Sequence, residues 1–203
     1  MTDIQQNALN YQCAQDTFKD RIILVTGAGA GIGRTAALTL AAHGATVILL
    51  GRTQEKLEAV YDEIKAAGGP EPALAPVNLT VARPEDFQEL AGLFDKEFGR
   101  LDGILHSASR LGDITPMDRY GAGTWESVMQ TNVNSAFYLT QAMLPLLRAS
   151  DDARLLVAAS SVGRKGRAFW GAYAVSKAAT ENLAQVLAEE LENTSNIRVN
   201  TLN

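Results

Sequence analysis

Hydrophobic positions along the chain alternate between two patterns. Arg21–Val25, Thr46–Leu50, Ala73–Val77, Leu101–Leu105, Arg154–Ala159 and Ile197–Leu202 are short apolar blocks of strand type. Between them, Arg34–His43, Gln54–Ala67, Pro84–Phe98, Thr124–Leu147 and Gly171–Asn193 carry Ala, Leu and Val at helical spacing. Gly68-Gly69-Pro70 ends the second helix, and Pro84 stands in the first turn of the third. Strict strand–helix alternation predicts an α/β fold, a doubly wound parallel sheet covered on both faces with right-handed crossovers. No internal repeat or linker interrupts it, so one domain is expected from residue 20 to residue 203, with residues 1–19 as an N-terminal arm.

Thr26-Gly-Ala-Gly-Ala-Gly-Ile-Gly33 lies directly between the first strand and the first helix. Glycines there let the backbone turn tightly and approach a pyrophosphate, whose charge meets free N–H groups at the helix N-terminus. The spacing is Gly27-x-x-x-Gly31-x-Gly33, with Gly29 permitting the turn. In that setting the motif predicts a Rossmann-type dinucleotide site, with strand order 3-2-1-4-5-6 by analogy and ligand at the strand C-terminal ends. After the second strand, where an NAD enzyme places Asp or Glu for the ribose hydroxyl, the chain has Gly51-Arg52. A guanidinium suits a 2′-phosphate, and Arg34 adds a second cation, so NADP(H) is expected over NAD(H).

Tyr173-Ala-Val-Ser-Lys177 places a phenol and an ammonium one helical turn apart, 13 residues after Ser160. A neighbouring ammonium favours the phenolate, and a hydroxyl from Ser160 can hold a carbonyl or alcohol oxygen against the phenol. Arg164-Lys165-Gly-Arg167 lies between Ser160 and Tyr173. It reads either as solvated loop charge or as a site for a negatively charged substrate. Trp170 is a candidate for the pocket lining and Trp125 for core packing.

Composition narrows the remaining classes. Hydrophobic residues make up 46% of the 203, which argues for a globular domain. A formal net charge of −5 gives no general attraction to nucleic acid or anionic membrane. No apolar run approaches the ~18 residues of a membrane helix. The single Cys13 cannot form an internal disulfide, and the first 19 residues lack a signal-peptide pattern. A cytoplasmic location is expected.

Together these pieces resemble the short-chain dehydrogenase/reductase superfamily from about Asp20 to Asn203. The matching residues are Thr26-Gly27-x-x-x-Gly31-x-Gly33, Asn78-Leu79, Asn132, Ser160, Tyr173, Lys177 and Ile197-Arg-Val-Asn200. The wording of Asp20–Gly27, Ser161–Arg164 and Gly171–Tyr173 more narrowly resembles bacterial YciK-type oxidoreductases, a subgroup that implies no settled substrate. The resemblance implies a catalytic set of Asn132, Ser160, Tyr173 and Lys177. Tyr173 would act as general acid or base, Lys177 would also hold the nicotinamide ribose, and Asn132 would fix a water linking Lys177 to solvent. It also implies a cofactor set of Gly27, Gly29, Gly31, Ile32, Gly33, Arg34, Arg52, Asn78, Leu79, Ser107, Ala108, Tyr173 and Lys177, with no metal. The two long helices imply a homodimer or homotetramer. A catalytically silent dinucleotide-binding scaffold or redox sensor is the alternative, and an epimerase or dehydratase on the same fold a weaker one.

Two departures stand out. His106-Ser107-Ala108-Ser109 replaces the family's Asn-Asn-Ala-Gly, with His106 read as a structural stand-in at the strand end. Ser109, by adding a Cβ to the cofactor floor, is expected to weaken or adjust binding. Family members also continue through a Pro-Gly turn, a substrate loop and a seventh strand, so the 203 residues are expected to belong to a longer polypeptide.

Overall fold

The computed structural model describes residues 13–203. The first twelve residues of the expected arm lie outside that range. Residues 15–20 form turns that pack onto the domain: Phe18 donates its N–H to the His43 carbonyl at 3.0 Å and, half-buried, packs against the adjoining core.

Six strands form one parallel sheet in the order β3-β2-β1-β4-β5-β6. They are β1 (Ile22–Thr26), β2 (Thr46–Gly51), β3 (Ala73–Pro76), β4 (Gly103–His106), β5 (Ala153–Ala158) and β6 (Ile197–Leu202). The principal helices between them are α1 (Gly31–Ala42), α2 (Gln54–Ala66), α3 (Pro84–Phe98), α4 (Ala122–Met129), α5 (Ser135–Arg148), the short α6 (Ser161–Arg164) and α7 (Gly171–Glu192).

The period of two along β2 explains both helical layers. Ile48 and Leu50 point into a core with Phe87, Phe94, Leu139, Met143 and Leu147, under α3 and α5. Val47 and Leu49 point the other way, against Ala37 and Ala41 of α1 and Leu57, Val60 and Ile64 of α2. A strand buried on both faces cannot alternate apolar with polar, and this is why its sequence is a continuous apolar run.

Two local expectations are corrected. The predicted helix Thr124–Leu147 is broken: Gln130–Asn134 forms a π-helical turn between α4 and α5. An inserted residue widens that turn without changing the apolar period much, so the sequence reads as continuous. Trp125 is half-buried, edge-on to Tyr120 at 6.2 Å between ring centroids, and is not in the core. The 3₁₀ turn Met117–Arg119 and helix α6 are too short to carry a period.

The end of the sheet opposite the glycines is held by Asp102, just before β4. Its carboxylate accepts from Ile22 N–H (2.8 Å) and Ser150 Oγ (2.7 Å) and faces Arg21 and Arg100 at 3.4 and 3.3 Å. Burial alone would raise its pKa. Ser150, the Ile22 amide and Arg100 outweigh that and hold it below the ordinary carboxylate value.

Candidate active site

The glycine turn is shaped by what crosses it. Gly27 has φ of 70°, and a Cβ there would stand 2.9 Å from Ala108 Cα, so only glycine lets the turn pass over the end of β4. A Cβ on Gly33 would stand 2.6 Å from Ser107 Oγ and nearer still to the Gly27 carbonyl. Thr26 Oγ1 accepts the N–H groups of Ser107 and Ala108, each at 3.1 Å, while Ser107 Oγ donates back to the Thr26 carbonyl. The unusual Ser107 thus laces β4 to β1.

Around these strand ends lies a cleft of about 590 Å³. Gly27, Gly29, Arg52, Asn78, Leu79, Ser107 and Ala108 line it, all of them expected there. Ser109 also lines it. Gly31, Ile32, Gly33 and Arg34 form the first turn of α1 outside this lining, with Ile32 largely exposed. Arg34 turns across α1 to pair with Glu63 of α2, so the geometry does not bring it to the cleft.

Two further cations line the cleft, Lys56 and Arg110, neither of them among the expected cofactor residues. For Lys56 the only sequence signal is position: it stands in the first turn of the helix after Arg52, much as Arg34 stands in the first turn of α1. A Cβ on Gly29 would lie 3.0 Å from Lys56 Cβ, which places the lysine stem directly over the glycine turn.

Beyond the lining of this cleft, α7 carries Tyr173 and Lys177. Lys177 is buried, and its Nζ donates to the Ala158 carbonyl at 2.6 Å. The same Nζ lies 5.6 Å from the centre of the Tyr173 ring. Burial pulls its pKa down to about 8. Ser160 lies two residues past Ala158, half-buried, and its hydroxyl does not cap the helix that it begins. Gly163 seats that short helix on α7, because a Cβ there would fall 2.7 Å from the Lys177 carbonyl carbon.

Asn132 occupies the π-helical turn and is buried. Its Oδ1 accepts from Arg110 N–H at 2.7 Å, and its Nδ2 donates to Arg110 O (3.0 Å) and to Ser176 Oγ (2.8 Å). Ser176 Oγ in turn donates to the Tyr173 carbonyl at 2.8 Å. The amide therefore clasps the loop after β4 to the turn of α7 that bears Tyr173. Both side-chain donors and one acceptor position of the amide are thus engaged within the protein.

His106, at the end of β4, is hydrogen-bonded through Nε2 to Thr140 Oγ1 at 2.9 Å. Burial, reinforced by the Lys177 charge, pushes its pKa down to about 4, so the imidazole is neutral near pH 7. His106, Asn132 and Lys177 border one small cavity beneath the site. Trp170 stands near the mouth, its ring centre 5.9 Å from that of Tyr173. Among the described residues, no cluster of three or more His, Cys, Asp or Glu could hold a metal, and no helix is long and apolar enough to cross a membrane.

A parallel sheet in this order, with a glycine turn and a Tyr-x-x-x-Lys helix at one edge, defines the short-chain dehydrogenases. Residues 21–203 match the short chain dehydrogenase family model, and the chain belongs to that family. It is of YciK type: it is 51% identical to the uncharacterized oxidoreductase YciK of Escherichia coli K12, over 96% of this chain and 77% of that protein. The solved E. coli YciK structure superposes with a TM-score of 0.92 at 52% identity, covering 96% of this chain and 79% of that one. A related protein from Shigella flexneri 2a, crystallised with NADP, gives 0.91 at 52% identity, with 94% and 79% coverage. Another from E. coli CFT073, crystallised with NADPH, gives the same values.

Proposed function

We propose that the chain is an NADP(H)-dependent oxidoreductase that interconverts a small-molecule carbonyl and its alcohol, with Tyr173 as general acid/base. The observation that carries this reading is Lys177, a buried ammonium beside the Tyr173 ring, bordering a small cavity that shares Leu79 and Ala108 with the cleft. A silent binding scaffold has no need of so costly a group.

The cleft fits NADP(H) on its own chemistry. Gly27 and Gly33 let the turn pack on Ala108 and on itself more closely than any Cβ permits, and Gly29, Gly31 and Ile32 would complete the pyrophosphate turn. Arg52 and Lys56 supply cations for the 2′-phosphate, Asn78 and Leu79 flank the adenine, and Ser107 and Ala108 form the floor. The NADP and NADPH complexes of the two relatives support the same choice. When bound, the nicotinamide supplies or accepts the hydride.

The chain's own residues manage the oxygen and its proton. In reduction, Ser160 Oγ holds the carbonyl oxygen and Tyr173 donates its phenolic proton to the developing alkoxide. Lys177 places positive charge beside the ring and would also hold the nicotinamide ribose. Asn132 keeps the β4 loop and α7 in register and would fix the water that returns the proton. We place the protein in the cytoplasm as a homodimer or homotetramer. Exposed Phe137 on α5 and Val175 and Val186 on α7 support subunit contacts there, and light scattering tests them.

Net oxidation of NADPH across a panel of ketones and aldehydes is the deciding experiment. NADPH binding with no turnover of any member would favour the scaffold reading. Conversion of an alcohol or sugar without net NADPH consumption would favour the epimerase or dehydratase reading.

A further inference from the structure

Two loops frame the approach to Tyr173, one after β4 and one between α6 and α7. They carry an unusual share of exposed large apolar side chains: Leu111, Ile114 and Met117 on the first, Phe169 on the second, with exposures of 44%, 53%, 60% and 54%. Scattered exposed hydrophobics are ordinary, but a contiguous set beside a reactive group marks a binding surface.

The set is held together, not loosely placed. Thr115 N–H donates to the Phe169 carbonyl at 3.2 Å, joining the loops. A Cβ on Gly171 would lie 2.7 Å from Met117 Sδ, so Met117 rests on the first residue of α7, two before Tyr173. Phe169 itself sits at φ of 73°, a left-handed conformation that non-glycine residues seldom adopt. Such strain persists only where the surroundings enforce it. Here it maintains a bulky apolar side chain in the exposed position, next to the Trp170 that packs on Tyr173.

Two of the three cations in the run 164–167 are engaged within the protein, Lys165 being the third. Arg164 pairs with Glu181 at 2.6 Å, and the Arg167 guanidinium lies over the Trp170 ring at 5.1 Å. Asp113 and Asp118 stand on the facing loop. The basic run that suggested an anionic substrate is therefore largely committed to the protein itself.

We propose that the substrate carries an apolar body, alkyl or aryl, seated against Met117, Ile114 and Phe169 while its carbonyl reaches Tyr173. This rests on the oxidoreductase reading above and names the substrate class for the same site.

The test uses the full chain saturated with NADPH and a series of methyl ketones of increasing alkyl length, with 2-oxo acids as charged comparators. Both kcat/KM and, independently of turnover, ligand Kd from tryptophan fluorescence are measured. Each added methylene is expected to improve both by about two- to four-fold until the patch is covered. Phe169→Gly, which its backbone accepts, should flatten that slope, and Phe169→Leu should retain most of it. Met117→Gln gives a second variant on a different loop, with NADPH binding as the check that each is folded.

A flat slope in the wild type, or an unchanged slope in both Phe169→Gly and Met117→Gln, overturns the proposal. So does a salt-sensitive preference for 2-oxo acids, or loss of an oligomer in the variants with the ketone slope intact. If no ketone is turned over yet Kd still falls with chain length, the apolar site stands and the reaction assignment fails. Absence of any ketone binding overturns the site.

Discussion

The Lys177 ammonium donates to the Ala158 carbonyl across 2.6 Å, tying the second turn of the Tyr173 helix to the last residue of β5. One hydrogen bond does not compensate for taking this charge out of water, and burial lowers its pKa from the usual 10.5 to about 8. At pH 7, where folded and unfolded chains both carry the proton, the group costs stability on the order of 3 kcal/mol. Between pH 8 and 10.5 the unfolded chain binds more protons, so this penalty falls as pH rises. Urea unfolding of cofactor-free Lys177→Met should show higher stability than wild type at pH 7, with the gap closing by pH 10. A variant less stable than wild type at pH 7 contradicts this account.

Replacing Tyr173 with Phe removes the proton donor while keeping the ring against Trp170. Turnover should drop by at least about 10²-fold, with NADPH affinity within about two-fold of wild type. Ser160→Ala should give a smaller loss, in kcat and not in cofactor binding. Turnover in Tyr173→Phe near the wild-type rate would remove it from the mechanism.

Arg52 and Lys56 share one wall of the cleft, and both are expected to meet the 2′-phosphate. A hydrogen bond to a charged group contributes about 1.5–3 kcal/mol, so Arg52→Ala should weaken NADPH about 10- to 100-fold. NADH, which lacks that phosphate, should be little affected. Lys56→Ala should act in the same direction and less strongly, while Arg34→Ala, which loses only its pairing with Glu63, should leave NADPH selectivity unchanged. Isothermal titration of the three variants with both cofactors tests the assignment, and equal losses for NADPH and NADH would contradict it.

Asp102 is a stability residue at the far end of the sheet from the cleft. Its lowered pKa means that its contribution is present above about pH 4, the unfolded carboxyl value, and is lost as pH falls through the lower folded one. Asp102→Ala strips the Ile22 amide and Ser150 hydroxyl of their partner and should cost about 2–4 kcal/mol at pH 7. In acid the difference from wild type should shrink. Denaturant titrations at pH 7 and pH 3 measure both, and a constant difference would show that the carboxylate's charge is not the cause.

Much of this molecule was legible in its sequence because the relevant patterns are local. The apolar runs of β1 and β2 record burial on both faces, and Gly27 records a turn that only glycine permits. The four-residue step from Tyr173 to Lys177 records one helical turn. Each depends on neighbours in the chain, so composition and spacing report it directly.

What depends on distant segments was not legible. Arg34 and Lys56 look alike as sequence, and only the packing of α1 against α2 gives one to Glu63 and the other to the cleft. The π-helical turn at Asn132 answers to Arg110 and Ser176, residues 22 and 44 positions away. His106 is neutral, and the charge on Lys177 costly, because the tertiary structure excludes water around them. A side chain's partners and its dielectric surroundings are properties of the assembled core, and no stretch of chain carries them alone.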